Sequence, residues 1–135
     1  MASAWNKFTD FRHQLGLGTH NLSGHTFKLA LTNAAVDASM DELADITQIA
    51  ASGGYTSGGY ALTVSWSGGK WIVSDLQITG TGAAIPTFQR AVLYNDSSTG
   101  DKLVGWYDYG AAINVAEDAE FTFNFDDVNG VFGLS

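Results

Sequence analysis

Arg90-Ala-Val-Leu-Tyr-Asn-Asp-Ser-Ser-Thr-Gly-Asp-Lys-Leu-Val-Gly-Trp-Tyr-Asp-Tyr109 decides the reading of this chain. Two arms rich in apolar and aromatic residues flank the polar loop Asp96–Asp101, whose Asn, Asp, Ser and Gly content lets a backbone reverse direction. The stretch therefore reads as a β-hairpin, with one strand over Phe88–Asn95 and its return over Lys102–Tyr109. It holds neither a nucleophile beside a base nor ligands at metal spacing, so it argues for packing and assembly rather than a reaction.

The same signals recur outward from the hairpin. On the N-terminal side, His25–Thr32 alternates and sends Phe27, Leu29 and Leu31 to one face. Tyr60–Trp66 and Lys70–Thr79 read as two strands joined by a tight turn over Ser67-Gly-Gly69. The apolar phase slips between Val73 and Leu76, which suggests a β-bulge near Ser74 and Asp75. Pro86 falls in a loop-like stretch over Gly80–Thr87. On the C-terminal side, strands over Ile113–Val115 and Glu120–Phe125 flank the acidic turn Ala116–Ala119, and Asn129-Gly130 signals a turn before a short last strand over Val131–Leu134.

Two segments are less regular. Asp41–Ala50 reads equally as a turn or two of helix or as extended chain, because Ile46, Thr47 and Ile49 are β-branched. The tandem Ser52-Gly-Gly-Tyr55 and Ser57-Gly-Gly-Tyr60 is too short for a solenoid and reads as an ordered loop. At the N-terminus, Trp5, Phe8, Phe11 and Leu15 recur at helical spacing, which predicts an amphipathic helix over residues 4–15, capped by Ser3 and ended by Gly16 and Gly18. The fold expected is all-β: a single antiparallel β-sandwich or jelly-roll-like domain over residues 25–135, preceded by that helix. The pattern does not separate a sandwich from a small barrel.

Composition narrows the function classes. A chain of 135 residues fits one domain. No cysteine is present, which removes disulfides and thiolate chemistry together. The formal charge is −8, and from Leu103 onward there are six acids and no Lys or Arg. The six basic residues (Lys7, Arg12, Lys28, Lys70, Arg90, Lys102) are scattered singly, so the footprint of nucleic-acid binding is missing. No run of eighteen apolar residues and no signal-peptide pattern occurs, so no membrane span is expected and synthesis in a cytosol is.

Catalytic, cofactor and metal sites find no support in the residue patterns. His13, His20 and His25 match no zinc spacing, and the Asp96–Asp101 loop lacks the alternating acids and closing Glu of a calcium loop. Neighbouring acids such as Glu117-Asp118 or Asp126-Asp127 point to opposite faces of a strand and form no glycosidase couple. No Gly-x-Ser-x-Gly, phosphate-binding loop or dinucleotide fingerprint occurs, so no enzyme is expected. The residual signal is aromatic: four Trp, five Tyr and eight Phe exceed what a small core readily houses, and some are expected at an interface. Trp5, Phe8 and Phe11 on the helix, and Trp106, Tyr107 and Tyr109 at the hairpin's end, are the candidates for subunit or partner contact, with sugar stacking as the alternative use of the second set.

Trp5-Asn-Lys-Phe8, His20-Asn-Leu22, Phe27-Lys-Leu-Ala-Leu-Thr-Asn33 and Ala44-Asp-Ile-Thr-Gln-Ile-Ala50 before Gly53-Gly-Tyr55 are followed by Arg90-Ala-Val-Leu-Tyr-Asn-Asp96. Leu103-Val-Gly-Trp-Tyr-Asp-Tyr-Gly110 and Phe121-Thr-Phe-Asn-Phe-Asp126 with Asn129-Gly130 complete the series. In that order these motifs resemble a family of small virion structural proteins of tailed bacteriophages and prophages, along nearly the whole chain. The resemblance implies a non-enzymatic head decoration or cement protein, made in the host cytoplasm and bound to the capsid surface as a homo-oligomer. Its partner would be the major capsid protein or another virion protein, with no nucleic acid and no membrane engaged. The alternative it implies is a tail or head-spike fibre or adhesin component that binds host surface glycans. It supplies no catalytic residues.

Overall fold

The computed structural model describes residues 5–125 and 131–133. The opening hairpin is its backbone: β7 (Ile85–Asn95) and β8 (Leu103–Val115) pair antiparallel, with Ala91 opposite Tyr107 and Leu93 opposite Gly105. β7 begins at Ile85 and so takes in Pro86. The proline, expected in a loop, sits where the register shifts between Ile85 and Phe88, an irregularity that tolerates a residue with no N–H to donate. β8 runs unbroken to Val115 and absorbs the separate strand expected over Ile113–Val115.

β2 (Phe27–Thr32) pairs with β7 over all six of its residues, and the short β3 (Tyr60–Ala61) pairs with β2. On the other side of the hairpin, β1 (Trp5–Lys7) pairs with β8, giving a five-stranded sheet in the order β1-β8-β7-β2-β3. Here the helix expected over residues 4–15 is corrected. Trp5–Lys7 is an edge strand, and α1 covers only Thr9–Gly16. Helical spacing did put Trp5, Phe8 and Phe11 on the inner side, but Trp5 reaches the core by alternating as a strand. Ser3 lies outside the described residues, and Phe8 occupies the N-cap with no side-chain cap.

Two smaller sheets accompany this one. β4 (Val64–Ser67) and β5 (Lys70–Val73) form the hairpin expected over Ser67-Gly-Gly69, with Gly68 and Gly69 both at positive φ (58° and 78°), as a two-residue turn with the strands' own twist requires. β10 (Phe132–Gly133) adds to β5, and the turn expected at Asn129-Gly130 lies outside the described residues. β6 (Leu76–Thr79) pairs with β9 (Glu120–Phe123) as a separate two-stranded sheet. The bulge expected near Ser74 and Asp75 is therefore a change of sheet. Ser74 N–H still bonds the Thr63 carbonyl at 2.9 Å, whereas the Asp75 carboxylate accepts the Phe125 N–H at 2.9 Å and hands the chain to the β9 side.

The layers meet in one continuous core. Phe27 packs edge-on against Trp71 of β5 at 5.1 Å, Phe88 against Phe121 and Phe123 of β9, and Tyr107 against Phe125. The result is all-β with one short helix, sandwich-like rather than closed into a barrel. Among the described residues no helix is long and apolar enough to cross a membrane.

The segment left open between helix and strand, Asp41–Ala50, makes one 3-10 turn over Leu43–Asp45 and then extends, with Ile49 N–H bonded to the Leu31 carbonyl at 3.0 Å. The tandem Gly-Gly-Tyr loop is pinned by its tyrosine and by Tyr94. Tyr55 Oη accepts the Leu31 N–H and donates to Gln48 Oε1 at 2.6 Å, and Gln48 Oε1 also accepts the Gly58 N–H at 2.8 Å. Tyr94 Oη donates to the Gly58 carbonyl, and Gly59, at φ +80°, lies so close to the Leu29 carbonyl that any Cβ would overlap it.

Candidate functional site

The residues expected at an interface separate into two groups. Phe8 and Phe11 are 0% and 1% exposed: Phe8 packs on Trp106 at 4.6 Å and Phe11 on His20 at 5.2 Å, so the helix covers its own sheet and these two rings are not on offer to a partner. Tyr107 is also buried, between Trp5 and Phe125. Trp5, Trp106 and Tyr109 are partly buried, and Tyr109 contacts both Phe121 and Phe123. Burial pushes the Tyr109 hydroxyl up to about 12. The two sets meet ring on ring, Trp5 on Tyr107 and Phe8 on Trp106, as part of the core and its margin. Small sheets β6/β9 and β4/β5 absorb much of the aromatic surplus that composition assigned to an interface.

Open apolar surface lies elsewhere. Among the described residues the exposed large hydrophobic is Leu17, 65% exposed at the C-cap of α1. Two residues earlier, Leu15 lines a recess of about 330 Å³ together with His20, Asn21, Leu22, Ser23 and Trp66. That volume is at the lower end of ligand-pocket sizes. The recess arises from chain direction: α1 ends at Gly16, the chain turns through Gly18 at φ +81°, and the loop 19–25 then runs past the β4/β5 hairpin to enter β2. Trp71 of that hairpin anchors the loop by donating from Nε1 to the Leu22 carbonyl at 3.0 Å.

Behind the recess wall lies a polar cluster formed by residues far apart in sequence. Asn95, fully buried at the end of β7, accepts the Ser97 N–H on Oδ1 at 2.9 Å, which fixes the orientation of its amide. Its Nδ2 then donates to His20 Nδ1 at 3.0 Å and His25 Nδ1 at 2.9 Å. His25 Nδ1 also accepts the Asn21 N–H at 3.2 Å. Both imidazoles are thus set as acceptors on Nδ1, which leaves the proton of each neutral ring on Nε2. His20 is 6% exposed, between Phe11 and Phe27, and its buried Nε2 has no hydrogen-bond partner among the described residues. Burial lowers its pKa from 6.5 to about 4; the nearby His25 acts in the same direction and Asp10 opposes.

Several other titratable groups tie loops to strands. In the Asp96–Asp101 loop, Ser98 Oγ donates to the Asn95 carbonyl and accepts the Lys102 N–H at 2.8 Å, so its hydroxyl closes the tip. Lys28 pairs with Asp96 at 3.6 Å and Lys102 with Glu42 at 3.8 Å. Arg90 bridges Asp108 at 3.3 Å and the Ala34 carbonyl at 3.0 Å. Among the described residues no three His, Asp or Glu side chains are grouped to hold a metal ion. His13 is exposed on α1, apart from the other two histidines' cluster, and Asp126 and Asp127 lie outside the described residues.

Sequence reasoning missed Leu17 and Asn95, and it counted Trp66 only within the general aromatic surplus. Leu17 follows the last helical position and was invisible to a periodicity search. Asn95 read as the end of a strand, and only the fold brings it to histidines 75 and 70 positions away. Comparison with protein-family models, with curated proteins and with solved structures gives no match for the chain.

Proposed function

We propose that this chain is a non-enzymatic structural protein of a tailed-phage virion, a decoration or cement protein that binds the outer capsid shell as a homo-oligomer and stabilises the head. The order of motifs along the chain, which resembles that family, supports the virion setting. The observation that carries an assembly role is the apolar face at the end of α1: Leu17, 65% exposed, two residues from the recess lined by Leu15, Leu22 and Trp66. Exposed apolar surface beside a concave apolar wall is what a protein partner covers. The partner is the major capsid protein or another virion protein, and the chain's charge of −8 suits a basic surface on it and disfavours the packaged nucleic acid.

Mixing purified protein with phage heads stripped of decoration tests this. Saturable co-sedimentation is expected, weakened at least tenfold by Leu17→Asp, a change at an exposed site that leaves the fold intact. Absence of binding to heads overturns the reading.

One observation favours the alternative, a tail or head-spike module that binds host glycans: Trp66 shares the recess with His20, Asn21 and Ser23, an aromatic ring beside polar groups. The stacking role expected of Tyr107 does not suit a buried ring, so this recess would be the sugar site. Binding to host polysaccharide, lost in Trp66→Ala, with none to heads, would select it.

A further inference from the structure

The loop that forms most of the recess is held at two places, by Trp71 at the Leu22 carbonyl and by a polar junction at the end of β7. Four of the six recess residues, His20, Asn21, Leu22 and Ser23, belong to the segment between α1 and β2. At the inner side of this segment, one amide group serves both histidines: Asn95 Nδ2 has two hydrogens, and it directs them to His20 Nδ1 and His25 Nδ1, with the Thr19 carbonyl a longer third acceptor at 3.5 Å. Asn95 cannot turn over, because its Oδ1 is committed to Ser97 N–H, and Ser97 Oγ in turn accepts the Thr26 N–H at 2.9 Å.

We propose that Asn95, His20 and His25 form an acid-sensitive latch, whose protonation releases the segment 17–25 from the end of the sheet and dismantles the recess. The chemistry is one of sign. An imidazolium carries a hydrogen on both ring nitrogens, so protonating His20 at Nδ1 sets a donor against the Asn95 donor. Neither partner can adapt: the amide is fixed by Ser97, and His20 is confined between Phe11 and Phe27. The rings also stand close enough for charge on one to oppose charge on the other.

Asp10 on α1 is the carboxylate that favours a charged His20, and it is outweighed by burial and by His25. At the hairpin end, Asp96 is engaged with Lys28 of β2. Release would free the Leu22 carbonyl from Trp71 Nε1 and uncover Phe11 and Phe27, while the β7/β8 pairing over Ala91–Leu93 has no part in the junction.

Residue-resolved amide exchange from pH 7 to pH 4.5, corrected for intrinsic rates, tests the latch. Protection in the segment 17–25 is expected to fall at least tenfold, with Ala91–Leu93 and Val104–Tyr107 unchanged. His20→Gln, whose side-chain oxygen can accept from Asn95 without titrating, is expected to remove most of that fall. Undiminished protection of the segment at pH 4.5, or an equal fall in His20→Gln, overturns the proposal. Should the variant fail to fold, ¹⁵N imidazole shifts of the wild-type protein decide: both rings are expected as the Nε2–H form at pH 7, and an Nδ1–H form at either refutes it. These readouts involve the chain alone, so they fail or succeed independently of capsid binding.

Discussion

Gly105 is the position where the fold's most distant strand pairing can be put to a quantitative test. It lies in β8 opposite Leu93 of β7 and Lys7 of β1, and an added Cβ would overlap Trp5 Cη2 and Cζ2 and approach the Asn6 carbonyl. In an open strand, Gly→Ala stabilises by about 0.5–1 kcal/mol, because alanine has less backbone freedom to lose. Forcing a methyl into a filled site costs about 1–3 kcal/mol. Loss of the Trp5–Tyr107 ring contact, at 5.3 Å, adds about 0.5–1.5 kcal/mol if β1 is displaced. Gly105→Ala is therefore expected to lose about 1–2 kcal/mol in urea denaturation followed by far-ultraviolet circular dichroism. With a slope of about 1–3 kcal/mol per molar urea, the midpoint should fall by roughly 0.5–1 M. In a Trp5→Ala background the indole is gone and only the overlap with the Asn6 carbonyl is left, so the same change should cost about 1 kcal/mol less, a coupling that a double-mutant cycle reads directly. A Gly105→Ala protein as stable as the wild type, or more so, would refute the placement of Trp5 over β8.

The other expectations concern separate parts of the chain. Gly59→Ala combines a positive φ with overlap on the Leu29 carbonyl and should cost about 3 kcal/mol, a drop of roughly 10 °C in Tm by calorimetry. Trp71→Phe removes the donor to the Leu22 carbonyl and part of a fully buried ring, and a loss of about 2–3 kcal/mol in urea is expected. Because the folded pKa of His20 is lowered from 6.5 to about 4, the stability it contributes is present above pH 6.5 and is lost as pH falls toward 4. That separation corresponds to about 3 kcal/mol, and a loss of roughly 2–3 kcal/mol is expected from urea midpoints across this range, absent in His20→Gln. At the alkaline end, burial raises Tyr55 and Tyr109 to about 12 and also raises Tyr60 and Tyr94. Ultraviolet titration should therefore show fewer than half of the five tyrosines ionised at pH 11 in the folded state, and nearly all of them in denaturant.

The hairpin was legible in the sequence because a local rule writes it: turn-forming residues between alternating apolar arms. The Gly68-Gly69 turn and β2 were legible for the same reason. What escaped depends on partners remote in the chain. Trp5–Lys7 is a strand because β8 offers a free edge and Gly105 leaves room for an indole, a condition set 100 residues away from Trp5. The apolar slip at Ser74-Asp75 was visible, but its cause, an Asp75 carboxylate holding Phe125 N–H, was not. The candidate site was less legible still. Aromatic content pointed outward to Phe8, Phe11 and Tyr107, which the core takes, whereas among the described residues the large hydrophobic left exposed is Leu17, just past a helix end. His20 and His25 showed no metal spacing, and their shared partner is an asparagine that no spacing rule would have sought.

A density map of phage particles produced in cells that express this chain tests the central proposal most directly. Expected is density matching the five-stranded sheet and its two small companions, repeated over the outer capsid shell, with the Leu15–Leu17 end of α1 and Trp66 turned toward the capsid protein. Density for the chain confined to the tail or a spike tip, or its absence from the particle, would contradict it.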